Sequence, residues 1–203
     1  MDMQSHDMTI LNLDEMSTRE RIVITTIRLI ERDGVHGLTT RTISREANVN
    51  IAAINYYFSS KQKLIEESLQ FALNHMLSDT DDIISQKEGA DLKSLLRSVM
   101  FYFMEGSVRY PGMIKAMLHE PINNNNYDGA VMQQILKFIR GLVSQADQFS
   151  EEDSDTIKAK LLQIISISLM PALMPELFKM ILGEDFNSNS DKLRDYIDKF
   201  FSV

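Results

Sequence analysis

Apolar residues recur at helical spacing along almost the whole chain. In the first such stretch Ile22, Thr26, Leu29 and Ile30 lie on one face, and Gly34 follows as a residue that ends helices. The chain has only 8 Gly and 4 Pro, fewer than all-β folds with many turns usually need. The pattern therefore predicts an all-α protein.

Three short helices are predicted in residues 17–58. The second covers residues 41–47 and the third residues 51–57, and the turn between them is a few residues long. The residues expected to cap these helices or to turn the chain are Ser17 with Glu20 (a capping box), Thr39 or Thr40, Asn48 in a left-handed conformation, and Asn50. Three helices with this spacing predict a helix-turn-helix unit.

The rest of the chain predicts a helical bundle. A long helix over residues 61–85 is expected to start with a second capping box, Ser59 and Gln62. Further helices are expected at residues 91–106, at 111–120 ending before Pro121, at 130–149, from Ser150 to Pro171, and at 191–201, with a break at Pro175. Residues 91–106 are apolar on almost every side, which is typical of a helix in the middle of a bundle. We expect an N-terminal extension (1–16), a helix-turn-helix domain (17–63) and a helical effector-binding and dimerisation domain (64–203).

Charge is spread unevenly over these segments. The whole chain has a net charge of −8, but residues 17–63 contain eight basic and four acidic residues, whereas residues 1–16 contain four acidic residues and no lysine or arginine. A basic segment on an acidic body predicts a head that binds a polyanion. Scatter by chance is the alternative interpretation of charge alone.

Composition excludes several classes of site. The chain has no Cys, so it has no disulfide, thiolate metal site or cysteine nucleophile. No apolar run reaches about 18 residues and the N-terminus is acidic, so neither a membrane span nor a signal peptide is expected. The four His residues have no ligand spacing, and HExxH and phosphate-loop motifs are missing. We therefore expect no catalytic residue, no metal and no cofactor.

Residues 18–66 resemble the DNA-binding domain of the tetracycline-repressor (TetR) family. The resemblance rests on elements that keep register together: Gly34, Thr39, Thr40, Ile43, Ala47, Val49, the aromatic run Tyr56–Phe58, Lys61 and Leu64. Asn48 stands where the family usually has Gly, Asn50 where it often has Ser, and Asn55 where its most familiar members have Tyr. These departures bear on which bases are read.

The resemblance implies that the third helix lies in the major groove of operator DNA. The residues expected to contact DNA are Thr39, Thr40, Arg41, Asn50, Ile51, Ala52, Ala53, Asn55, Tyr56, Tyr57, Ser60 and Lys61. Asn can bond adenine, Ile and Ala can meet a thymine methyl, and helix N-termini with Arg or Lys can hold phosphates. Arg45 is either a further phosphate contact or a solvated charge, and one of the two tyrosines is alternatively a core residue.

The resemblance also implies a small effector bound among the fourth, fifth, sixth and seventh helices. Its tentative contacts are Phe71, His75, Met100, Phe103, Met104, Glu105, Met113, Met117 and Met132. Met and aromatic side chains suit an adaptable apolar pocket, although most of them are equally explained as plain core. A mostly hydrophobic effector is expected, cationic if Glu105 faces inward.

A homodimer formed by the last two long helices is implied as well. The expected interface residues are Ile157, Leu161, Ile164, Ile165, Ser168, Leu193, Tyr196, Ile197 and Phe200. A closed two-fold dimer reads a near-palindrome. The chain is thus predicted to be a cytoplasmic, ligand-responsive regulator. Because members of the family usually repress transcription, it is expected to be a repressor. The alternative is a helical protein-interaction module without specific DNA binding, against which the basic head argues.

Overall fold

The computed structural model describes residues 12–85, 91–147, 151–183 and 190–202. Within these ranges the secondary structure is helical and no strand is present. After a short 3-10 turn at Leu13–Glu15, the helices are α1 (Thr18–Asp33), α2 (Thr40–Glu46), α3 (Ile51–Phe58), α4 (Lys61–Ser85), α5 (Leu92–Arg109), α6 (Pro111–Asn124), α7 (Ala130–Ala146), α8 (Ser154–Leu173), α9 (Pro175–Leu182) and α10 (Ser190–Phe201). The prediction of an all-α fold is confirmed.

Local signals place the ends of the first three helices. The Ser17–Glu20 capping box is present, with Ser17 N donating to Glu20 Oε2 at 3.0 Å. Thr39, not Thr40, caps α2 by accepting from Thr42 N at 3.0 Å. Asn48 has a φ of +51°, as predicted for the turn before α3.

The cap of α4 differs from the prediction by one residue. Ser60, rather than Ser59, accepts from Lys63 N at 3.1 Å. Ser59 instead has a φ of +57°, a left-handed conformation that turns the chain between α3 and α4. Its hydroxyl donates to the Phe58 carbonyl at 2.6 Å.

Two helices pass through prolines that were expected to end them. α6 continues past Pro121 to Asn124, and α8 continues past Pro171 to Leu173. Both prolines are buried and lie in the last turn or so of their helices. Each therefore costs one backbone hydrogen bond close to an end that already leaves carbonyls unpaired.

The start of α8 also differs from the prediction. The helix starts at Ser154 and Asp153 is its cap, accepting from Asp155 N at 3.1 Å and Thr156 N at 3.0 Å. The expected start, Ser150, lies outside the described residues. The hydrogen bond from the Thr156 side chain, followed by backbone bonds, lowers the pKa of Asp153 below its usual value.

One apolar core joins the three head helices to the body. Its buried residues come mainly from α1, α2, α3, the first half of α4 and the first half of α6, where Met113, Ala116 and Met117 contribute together with Tyr110 just before the helix. The head core thus continues across the domain boundary predicted at residue 63. The head and the body therefore share this core through α4 and α6.

A second core fills the body. It is built by α5, α7, α8 and α10, and α5 lies in its middle, in contact with α4, α6, α8 and α10. This agrees with the all-round apolar character of residues 91–106. The Ser107 hydroxyl donates to the Ser168 carbonyl at 2.6 Å and fixes α5 against α8.

Most residues expected at the dimer interface lie in this second core. Tyr196 is half-buried and Phe200 is exposed, whereas the others are buried within the chain: Ile157, Leu161, Ile164, Ile165, Ser168, Leu193 and Ile197. These seven side chains are thus packed inside the single chain, and their place in a dimer stays a prediction. α8 carries apolar residues on its outer face too, where Leu162 is 66% exposed.

α8 is also long and apolar enough to cross a membrane by length and composition. One helix of this kind is weak evidence for a membrane span. A core helix of a soluble protein passes the same test, and the inner face of α8 is buried against α5.

Candidate DNA-binding surface and effector region

One face of α3 packs against the head core and the other is exposed to solvent. Ile54 and Phe58 are 0% and 1% exposed and anchor the helix in the head core. The exposed residues are Asn50, Ile51, Ala52, Asn55, Tyr56 and Tyr57, and Ala53 is half-buried against the core. Tyr56 is 83% and Tyr57 40% exposed, so neither tyrosine is a core residue. The face expected to read DNA is therefore available along the whole helix.

The N-terminus of α3 is ordered by its own side chain. Asn50 Oδ1 accepts from Ala52 N at 2.9 Å, as a capping residue should. This bond occupies the amide oxygen of Asn50 and leaves its NH2 group for a further acceptor. Tyr56 and Tyr57 pack edge to face with ring centroids 5.1 Å apart, which limits the freedom of both rings.

Helix starts flank α3 on both sides. Thr39 Oγ1 is engaged with Thr42, whereas Thr40 is half-buried and Arg41 is exposed at the start of α2. On the other side Ser60 and Lys61 open α4. Helix N-termini carry unpaired N–H groups and the positive end of the helix dipole, which suits phosphate.

Lys61 has a structural contact as well. Its Nζ donates to the Leu38 carbonyl at 3.0 Å and joins the start of α4 to the segment before α2. An ammonium has three donors, so this bond leaves others for a phosphate. Lys61 therefore positions the two flanking helix starts relative to each other.

Other basic residues of the head pair with acids. Arg19 bonds Glu67 at 2.5 Å, and Lys63 bonds Glu66 at 3.0 Å. Arg45 pairs with its neighbour Glu46 at 3.2 Å while its side chain stays 74% exposed, so both interpretations of it remain open. No ion pair is found for Arg41 with any residue that the structure describes, which leaves its guanidinium available to DNA.

The nine residues expected around an effector do not form one packing group. Met113 and Met117 belong to the core shared with the head, whereas Met100 and Met104 are fully buried in the body core. Phe103 is half-buried, with its ring centroid 5.9 Å from that of Phe138. The remaining members are Phe71, which is exposed, His75, which is half-buried, and Met132, which is buried.

Glu105 already has a cationic partner. Its carboxylate lies 2.5 Å from the guanidinium of Arg109 one turn later on α5. The side chain of Glu105 is 17% exposed, so this pair lies partly out of water. A cationic effector would have to compete with Arg109 for that carboxylate.

An open cavity of about 470 Å³ lies elsewhere in the body. It is formed by the starts of α5 and α8 and the end of α10, and its lining includes Lys93, Lys160, Phe200 and Phe201. None of the nine expected effector contacts lines it. Lys160 is paired there with Glu152 at 2.6 Å.

Two long-range contacts join the end of α1 to α6, and sequence reasoning missed both. Glu31 accepts from Gly112 N at 3.0 Å and Met113 N at 2.9 Å. His36 and His119 approach each other with Nε2 atoms 3.0 Å apart. The partners are more than 80 residues apart in sequence, and no local pattern marks them.

Burial affects the pKa of the Glu31 carboxylate. Desolvation raises its pKa above the usual range, and the hydrogen bonds from the Gly112 and Met113 amides oppose that shift. Gly112 allows this close approach because a Cβ there would lie 2.5 Å from the Glu31 carbonyl oxygen. The contact therefore depends on a residue without a side chain.

Within the described part of the chain, no group of three or more His, Asp or Glu residues could hold a metal ion.

The family model that matches this chain covers the head. Residues 22–68 match the family model described as bacterial regulatory proteins, tetR family. The HTH-type nicotine-responsive transcriptional repressor HdnoR of Paenarthrobacter nicotinovorans is 26% identical over 93 residues, 46% of this chain and 47% of that protein. The HTH-type transcriptional regulator BetI of Vibrio vulnificus is 38% identical over 61 residues, 30% of this chain and 31% of that protein. The chain thus spans half or less of the length of these two relatives.

Solved structures match over nearly the whole chain. The transcriptional regulator FadR of Bacillus subtilis, in complex with stearoyl-CoA, has a TM-score of 0.63 and 15% identity, covering 88% of this chain and 96% of that one. A transcriptional regulator of Saccharomonospora viridis, in complex with choline, has a TM-score of 0.61 and 17% identity, covering 91% and 95%. At these identities the likeness concerns the fold.

Proposed function

We propose, from the premise that this chain belongs to the TetR family of bacterial regulatory proteins, that it is a cytoplasmic transcriptional regulator that binds operator DNA through α3. It is a regulator rather than an enzyme. The observation that carries the proposal is the exposed face of α3, held by Ile54 and Phe58 and flanked by the starts of α2 and α4. Such a helix enters the major groove while the flanking helix starts hold phosphates.

The test is binding of the purified chain to the DNA upstream of its own gene, measured by fluorescence anisotropy against unrelated DNA. Asn55→Ala and Tyr56→Ala remove exposed groups and leave the core intact. Each lost contact should cost about 1–3 kcal/mol, roughly 5- to 150-fold in affinity. Tyr127→Ala, at an exposed tyrosine in the loop between α6 and α7, is the matched control. Variants of α3 that bind as tightly as this control would refute the proposal.

The proposed effector is a small, mostly apolar molecule bound in the body. Buried methionines and half-buried aromatics between α4, α5, α6 and α7 support a site that can rearrange around a ligand. The similarly folded proteins crystallised with stearoyl-CoA and choline, and the nicotine-responsive relative, support effector binding as a property of this architecture. The partnered state of Glu105 favours a neutral apolar effector over a cation.

The proposed action is repression relieved by the effector. α4 begins at the DNA-facing surface and continues into the body, and α6 shares the head core. An effector that binds a shifted arrangement of these helices more tightly moves the heads away from their DNA-binding spacing. Linkage requires DNA to weaken effector binding by the same factor.

We propose a homodimer that reads a near-palindromic operator. Its interface uses the outer faces of α8 and α9 rather than the buried face expected from sequence. α9 buries none of its residues within the chain, and the exposed apolar set is Leu162, Met174, Leu177, Met180, Ile181 and Leu182. Large apolar side chains left exposed within one chain support a subunit interface there.

A further inference from the structure

Two histidines from distant parts of the chain meet where the head contacts α6. His36 lies in the turn after α1, and His119 lies in the second half of α6. Their Nε2 atoms are 3.0 Å apart and their ring planes are inclined at 66°. His36 is exposed and the His119 side chain is 27% exposed, so both rings are accessible to ions in solvent.

The separation of the two Nε2 atoms is close to that of two imidazoles on one metal ion. Zn²⁺ binds histidine nitrogen at about 2.0–2.1 Å, and tetrahedral geometry then separates two such nitrogens by about 3.3 Å. An increase of about 0.3 Å, within the reach of side-chain rotation, would admit the ion. In the metal-bound form both Nε2 atoms offer lone pairs and both ring protons reside on Nδ1.

A carboxylate faces the other ring nitrogen of His119. Glu120 Oε1 is 3.6 Å from His119 Nδ1, and Asn124 Nδ2 donates to the same carboxylate at 3.0 Å. A carboxylate beside the non-ligating nitrogen favours the tautomer with a proton on Nδ1 and a free lone pair on Nε2. Glu120 is thus placed to orient a ligand rather than to bind the ion itself.

We propose that His36 and His119 form a two-histidine site for a divalent transition metal such as Zn²⁺, Ni²⁺ or Cu²⁺. Imidazole suits these ions, whereas Mg²⁺ and Ca²⁺ prefer oxygen ligands. Since no third His, Asp or Glu completes a cluster among the described residues, water fills the remaining positions and the ion exchanges with solution.

The ion would join the head to the body. His36 belongs to the head and His119 to α6, and the Glu31 contacts with Gly112 and Met113 already hold the same two parts together. The two ligands are therefore close together before metal binds, which reduces the cost of ordering them. An ion that binds only the folded chain stabilises it in proportion to the logarithm of its concentration.

The experiment measures thermal unfolding of the full, untagged chain, without DNA, in ZnCl2, NiCl2 and MgCl2. Zinc and nickel should raise the midpoint and magnesium should not. His36→Gln and His119→Gln should each abolish the rise. His75→Gln, on α4, and His6→Gln, outside the described residues, are matched controls that should retain it.

A second measurement does not depend on folding of the variants. Diethyl pyrocarbonate labelling of the wild-type chain, followed by mass spectrometry, should show zinc protecting His36 and His119 but not His75. A zinc-induced rise that persists when His36→Gln and His119→Gln are combined, or labelling of the pair that is unchanged by millimolar zinc, would overturn the proposal. Neither readout involves DNA, so failure here leaves the proposed regulator function untouched.

Discussion

Glu31 shows how one side chain couples the head to the body. Its carboxylate meets the N-terminal amides of α6, a position that favours negative charge, while burial disfavours that charge. Burial is the larger effect, so the pKa of Glu31 is raised. The protonated form is thus favoured in the folded chain more than in the unfolded one.

This shift predicts a pH dependence of stability. A carboxyl with a raised folded pKa contributes stability that is fully present below its unfolded pKa and is lost as pH rises through its folded pKa. The free energy of unfolding of the wild type, relative to Glu31→Gln, should therefore fall as pH rises through that window. Urea titrations of both proteins at several pH values measure it. A difference that grows with pH would show that the amide hydrogen bonds outweigh desolvation.

A second prediction for a single residue concerns the effect of Gly112→Ala on stability. A Cβ there would lie 2.5 Å from the Glu31 carbonyl oxygen and 2.7 Å from Glu31 Cα, both backbone atoms that cannot turn aside. Gly112→Ala should therefore destabilise the chain by about 1–3 kcal/mol through overpacking.

Gly141 is the matched control for that substitution. It lies inside α7 with nothing within 4 Å of an added Cβ. Gly141→Ala should stabilise the chain by about 0.5–1 kcal/mol, because alanine loses less conformational freedom in a helix. Both changes are measured by chemical denaturation. Equal effects at the two sites would mean that α1 and α6 are not in close contact.

At the scale of elements, the helix caps and turns that depend on nearby residues were predicted well. The Ser17–Glu20 box, the left-handed Asn48 and the Asn50 cap each involve residues within three positions of one another, so the sequence displays both partners. The exposed face of α3 was predicted from the helical spacing of its apolar residues Ile54 and Phe58. Pro121 and Pro171 were misinterpreted because the sequence shows the lost hydrogen bond but not the burial that compensates for it.

Long-range pairing could not be predicted in the same way. α8 is apolar on two faces, and only packing against α5 shows that Leu161 points inward and Leu162 outward. The Glu31 and His119 contacts depend on how α6 crosses the end of α1. No periodicity records such a crossing, because each partner alone resembles an ordinary surface residue.

A prediction about DNA binding at the start of α2 concerns Arg41. With its guanidinium at an exposed helix N-terminus, it is expected to neutralise one phosphate. Arg41→Ala should reduce the slope of log affinity against log salt by roughly 1 and weaken binding about equally on all sequences.

Arg140→Ala, the same change at an exposed position on α7, should leave the slope unchanged. Fluorescence anisotropy across a salt series provides the measurement. Lys61 is less suitable for this test, because its contact with the Leu38 carbonyl would be lost together with any phosphate contact. Slopes that agree between the two arginine variants would remove Arg41 from the DNA interface.

At the scale of the whole molecule, the proposed dimer would cover the outer faces of α8 and α9 and let two heads act together. A two-fold dimer places recognition helices roughly 34–36 Å apart, or at a multiple of that distance, which matches successive turns of the major groove. Linking the heads makes the second half-site contact intramolecular, and this can raise affinity by about 10²–10⁴-fold. Dimerisation and operator affinity should therefore be lost together.

Four lysine substitutions, three at neighbouring positions of α8 and one on α9, distinguish the inner face of α8 from the proposed interface. Leu162→Lys or Ile181→Lys places a charge in the proposed interface and should give a folded monomer with strongly reduced operator affinity. Leu161→Lys buries the charge inside the chain and should instead unfold it. Gln163→Lys, at an exposed neighbour, should remain a folded dimer. Sedimentation velocity with circular dichroism distinguishes these results, and a folded Leu162→Lys dimer would place the interface on another surface.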